Sequence, residues 1–139
     1  GGAALGDLPG GFVWLQSRDG QVMNRGLIYG GDSRGERGGP VIISGKTVLL
    51  RYGRIAGGRQ NGDVGRGKVA IVATNTVLGG NSYAAGQQVS LAVGGNGLLN
   101  LEDMPEGAFT AGADGLWISG GALTVLDLQG NSHRYAPLH

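Results

Sequence analysis

Histidine occurs twice, at His133 and His139, both near the C-terminal end, and cysteine is absent. A transition-metal site gathers three or four imidazole, thiolate or carboxylate groups, so this inventory predicts no metal and no cofactor. A Ser-His-Asp relay would have to use His133, and no G-x-S-x-G elbow is present to carry the nucleophile. Glu102, Asp103 and Glu106 surround Pro105 in a connection, whereas paired-carboxylate glycoside hydrolysis needs a cleft. Gly45-Lys46-Thr47 is the ending of a phosphate-binding loop, but Pro40 stands where that pattern requires its first glycine. A strand-like run, Val48-Leu49-Leu50-Arg51-Tyr52, follows in place of the helix whose N-terminus would cradle phosphate. The glycine clusters also lack the strand–G-x-G-x-x-G–helix setting of a dinucleotide site. The expectation is a protein with no catalytic residues and no enzymatic activity.

Arginine is the chemistry-bearing residue in excess, with nine against two lysines. The net charge is +1, yet residues 25–68 sum to +6 and those from 69 onward to −4. Arg34, Arg37, Arg54, Arg59 and Arg66 lie in or beside two polar, glycine-rich stretches, 30–39 and 56–67, with no obvious carboxylate partner nearby in sequence. The planar guanidinium fork pairs with carboxylates and desolvates more readily than an ammonium. These five arginines are therefore predicted to form protein–protein contacts. A net charge of +1 with few lysines lacks the strongly basic footprint of a nucleic-acid binder. The rings of Trp14, Tyr29, Tyr52, Tyr83, Trp117 and Tyr135 are scattered singly, which argues against a sugar platform. Trp117 stands between Leu116 and Ile118, so it is expected in the core, as is Leu126.

The elements that must position these residues are short strands. There are 31 glycines without a collagen period, and they interrupt every stretch that could start a helix. Apolar residues make up 40% and charged residues 15%, a balance that folds rather than stays disordered. Strands are predicted over 12–16, 21–29, 41–44, 46–52, 68–74, 87–93, 97–101, 116–119, 122–128 and 132–136, with turn residues between them. Asp19-Gly20 supplies the positive-φ pair of a tight hairpin, and Gln129-Gly130-Asn131 is read as closing a final one. In 68–73 and 122–127 the strand is apolar on both faces over part of its length, as in a strand covered on two sides. No internal repeat of fixed period is read, which speaks against a solenoid. The fold expected is all-β, a jelly-roll-like antiparallel β-sandwich over residues 12–139, preceded by a flexible N-terminal arm over 1–11. The arm has neither a basic region nor an apolar segment, so no signal peptide is expected, and no apolar run reaches 18 residues, so no membrane partner is expected either.

Residues 113–136, ADGLWISGGALTVLDLQGNSHRYA, resemble the closing hairpin of tailed-bacteriophage virion proteins. Residues 67–94, GKVAIVATNTVLGGNSYAAGQQVSLAVG, resemble the middle of small phage capsid-decoration proteins, with Ala84-Ala85-Gly86 as the turn between two apolar strands. The two stretches cover 52 of 139 residues. The resemblance implies a virion structural protein assembled in a host cytoplasm, a dimer or trimer that cements a shell built by a major capsid protein. The second reading, after that one, is a trimeric tail-fibre or tailspike domain that contacts the host surface. A small carbohydrate-binding sandwich is the reading from a different class. Glycine fixed in strands costs roughly 0.5–1 kcal/mol per residue relative to alanine, and partners that bind only the folded form offset such costs.

Overall fold

A computed structural model describes residues 10–34, 38–59, 67–101, 103–105 and 107–120, with the backbone of 123–125 and 134–135. Eight strands follow one another: β1 (Val13–Asn24), β2 (Leu27–Tyr29), β3 (Val41–Ala56), β4 (Val69–Val93), β5 (Leu98–Asn100), β6 (Phe109–Ser119), β7 (Leu123–Val125) and β8 (Arg134–Tyr135). Every pairing between them is parallel. The antiparallel jelly-roll sandwich is therefore overturned, and the chain is a β-solenoid that winds upward in rungs.

Three faces make up each rung. Face A stacks 13–17 on 41–45 on 69–73, face B stacks 21–24, 47–50, 76–79, 98–100 and 123–125, and face C stacks 27–29, 54–56, 83–85 and 109–110. β4 is long enough to complete a turn and return over its own start. Gln87 N–H donates to Gly67 O at 3.2 Å and Gly94 N–H to Ala73 O at 2.9 Å, which lays 88–92 over 69–73. β6 and β8 continue face A above it, through Ser90↔Trp117↔Arg134.

Alternation within a strand sends every second side chain inward. Parallel in-register stacking then aligns like with like: Val41 over Val69 and Ile43 over Ile71 on face A, Val48 over Val77 over Leu99 on face B. All of these are fully buried. Where one rung is thin its neighbour fills in. Ala84 on face C lies between Ile55 and Phe109, and beside Gly79 a Cβ would come within 2.8 Å of the Met104 sulfur.

Several turn assignments from sequence are corrected by the same pairing. Asp19-Gly20 does not reverse the chain: the halves of β1 on either side both run parallel to β3, with only a register shift between Ser17 and Gln21. A bend between faces A and B thus replaces the expected hairpin, and Gly45-Lys46-Thr47 makes the corresponding bend in β3. Ala84-Ala85-Gly86 is a strand segment paired to Phe109-Thr110-Ala111, and the supposed closing hairpin is a parallel stack of β8 on β6. Gln129-Gly130-Asn131 and Leu126 lie outside the described residues. Val72, on the outer side of face A, is 41% exposed, so among the described residues nothing supplies the second cover expected for 68–73.

The glycine-rich stretches 30–39 and 56–67 are not wholly surface connections. Their ends form a buried column of backbone, in which Gly31 N–H donates to Gly11 O, Gly39 to Gly31, Gly58 to Gly39 and Gly67 to Gly58, at 2.7–2.9 Å. The first two rungs begin and end in this column, so successive passes of chain crowd together along it. A Cβ on Gly10, Gly39, Gly58 or Gly67 would collide with the backbone carbonyl of Gly31, Gly11, Gly31 or Gly39 respectively. Close approach of backbones is thus the reason for glycine here. Gly10 and Gly11 already belong to the column, while residues 1–9 of the expected arm lie outside the described residues.

Candidate ligand-binding face and open first rung

Face C carries the densest outward chemistry. Register places Leu27, Arg54 and Tyr83 in one outward column and Tyr29, Ala56 and Ala85 in the next. Tyr29 and Tyr83 are 46% and 44% exposed, so two rings that look isolated in sequence lie on one face, and Tyr52, 61% exposed, comes just before the bend at Gly53 that leads onto it. Ala56, with only a methyl group, and Gly57, with no side chain, sit among these larger residues and leave a concavity of about 440 Å³, lined also by Tyr29, Asp32, Arg54 and Arg59. That volume is in the range of roughly 300–1,000 Å³ usual for small-molecule sites.

Backbone bonds hold the walls. Gly30 N–H donates to Ala56 O and Gly57 N–H to Ala85 O, both at 2.9 Å, which anchors the chain as it leaves face C. Beyond that point Arg59 N–H donates to Asp32 Oδ1 and Ser33 N–H to Arg59 O, each at 2.8 Å. The two exits are thereby tied side by side, and their arginine and aspartate side chains face one cavity.

Of the five arginines predicted as contact residues, Arg54 and Arg59 are brought together at this concavity, and Arg34 is exposed just past Ser33. Arg37 and Arg66 lie outside the described residues. Tyr29, Asp32 and Tyr83 are missed by sequence reasoning. The readable signal is the pair Gly26-Leu27-Ile28-Tyr29-Gly30-Gly31 and Gly53-Arg54-Ile55-Ala56-Gly57-Gly58, one rung apart.

No protein-family model, curated protein or solved structure matches this chain. The reading of function accordingly rests on its own residues.

Trp117 corrects another expectation. Leu116 and Ile118 on either side are buried, whereas Trp117 points outward on face A, is only half-buried, and donates its indole N–H to Asp114 O at 2.8 Å. Nearby, Lys68 and Asp114 approach to 3.9 Å with both side chains about half exposed, so one cation of the basic middle meets one carboxylate of the acidic end. An exposed pair of this kind contributes roughly 0–1 kcal/mol.

The first rung forms a second distinctive surface. Among the described residues, β1 and β2 are bonded to β3 on one side and to no other strand on the opposite side. Apolar exposure concentrates there: Phe12 is 66% exposed, Trp14 57%, Leu15 39% and Met23 43%. Their counterparts one rung higher, Ile42, Ile43 and Leu49, are buried or half-buried. A terminal solenoid rung with an apolar surface and free edge groups is a template for further association.

Proposed function

We propose that this chain is a non-enzymatic structural protein that works within a multi-chain assembly, the virion part that its sequence resemblance implies, and that it joins through its first rung. The observation carrying this reading is the exposure of Phe12, Trp14, Leu15 and Met23 along a rung that lacks a strand partner on one side among the described residues. Exposed apolar side chains beside an unpaired strand edge mark contact sites. A rung-by-rung solenoid suits the fibre or spike placement, because its cross-section repeats along an axis that other segments can extend. The partner proposed for the first rung is a second copy of the chain, in a dimer or trimer.

Sedimentation of the purified chain tests this directly. The wild type is expected to sediment as a dimer or trimer at micromolar concentration, roughly the regime of a Kd worth 8 kcal/mol. A variant carrying F12S, W14S and M23S should be a monomer with an unchanged far-UV spectrum. A wild type that remains monomeric, or a triple variant that still associates, overturns the proposal.

A further inference from the structure

We propose that the concavity of face C binds a carboxylated saccharide, with Arg54 and Arg59 taking the carboxylate, Tyr29 stacking on the sugar and Asp32 accepting its hydroxyls. This inference goes beyond the assembly reading, since it concerns the outer surface of face C rather than the open edge of the first rung.

Charge comes first. Two guanidinium groups line the cavity against one carboxylate, and neither Arg54 nor Arg59 forms an ion pair among the described residues. Asp32 already accepts the Arg59 backbone N–H at 2.8 Å, which holds it in place on the wall. The cavity is thus net positive and fitted with fork-shaped donors, and a planar carboxylate accepts two parallel bonds from such a fork. A polyphosphate chain would be repelled by Asp32, whereas a sugar that combines one carboxylate with several hydroxyls uses both signs of charge.

Shape supports the same class. Ala56 and Gly57 give a shallow floor, and Tyr29 offers a half-exposed ring at its side. A sugar presents an apolar C–H face to such a ring while its edge hydroxyls reach polar groups, the division of labour for which aromatic residues suit wet sites. Tyr83 continues the outward column of Arg54 one rung on, and Tyr52 flanks it on the preceding segment. Neighbouring sugars of an oligomer could therefore rest along the solenoid axis on surfaces spaced by about one strand separation, 4.8 Å.

Calorimetric titration of the full chain with three defined probes decides the matter: a galacturonate tetrasaccharide, its fully methyl-esterified form, and inorganic phosphate. The free-acid tetrasaccharide is expected to bind with a Kd of about 1 mM or tighter, and the ester at least about tenfold more weakly. Arg54→Ala, Arg59→Ala and Tyr29→Ala should each weaken binding by about tenfold or more, and rising salt should weaken the wild type. Far-UV spectra of the three variants should match the wild type. No binding of the free acid, equal binding of acid and ester, a preference for phosphate, or full affinity in both arginine variants would each overturn the proposal.

Discussion

Gly58→Ala is expected to cost more than about 4 kcal/mol, in the exceptional range for one substitution, and to leave little folded protein at room temperature. Its new methyl group would collide with Gly31 O while lying 2.6 Å from Gly31 C and 2.7 Å from Gly39 N. All three atoms are backbone, so no rotamer change relieves the contact. Gly58 N–H also donates to Gly39 O at 2.9 Å, and any shift that makes room pulls this bond apart. Gly31 and Gly39 belong to successive passes of chain, so the damage reaches two rungs at once. Gly26→Ala is the control, because a Cβ there meets nothing within 4 Å. It should melt within a few degrees of the wild type. Circular dichroism melts of the two variants read the difference, and a Gly58→Ala protein as stable as Gly26→Ala would show that the column is not closed as described.

Ile71→Ala is expected to cost about 2–5 kcal/mol, the range for deleting a buried branched side chain without collapse of the cavity left behind. Ile71 is fully buried and stacked on Ile43, in a column whose backbone spacing is fixed by the ladder bonds. The neighbours cannot close in along the axis, which places the cost toward the upper end. Val72→Ala, one residue on, should change stability by no more than about 0.5 kcal/mol, since Val72 faces outward and is 41% exposed. Chemical denaturation of both variants measures the contrast, and equal costs at 71 and 72 would contradict the inward–outward assignment.

Much of the local structure is legible in the sequence. The runs 41–44, 46–52, 68–74 and 87–93 all fall within strands, apart from Lys68 at the start of one. The inward set Val69, Ile71 and Ala73 separates cleanly from Lys68, Ala70 and Val72. Strand direction is not legible this way, because period-two alternation is identical in parallel and antiparallel pairing. Asp19-Gly20 fits a tight hairpin as well as it fits a bend between faces, and only the partner strand decides between them. The long-range signal was present in Val13, Val41 and Val69, spaced by 28 residues. It fades at the third rung, where the chain passes directly from Gly86 to Gln87 without a glycine-rich excursion. The fourth rung then inserts residues between faces B and C instead, between Leu98–Asn100 and Phe109. Variable corners hide a constant rung. The binding face was half legible: arginine excess singles out Arg54 and Arg59, but joining them to Tyr29, Asp32 and Tyr83 requires the register.

The parallel register itself is open to one direct measurement. Gln16, Ser44 and Val72 occupy one outward column of face A on three successive rungs. The chain has no cysteine, so Q16C, S44C and V72C place nitroxide labels at those positions alone. In the solenoid the three labels stack about 4.8 Å apart per rung, close enough for strong spin exchange. The electron paramagnetic resonance spectrum of the triple-labelled, magnetically dilute protein should therefore collapse toward a single exchange-narrowed line. Three independent, fully resolved nitroxide spectra from a folded protein would contradict the solenoid, and with it the joining of Arg54, Arg59 and Tyr29 into one site.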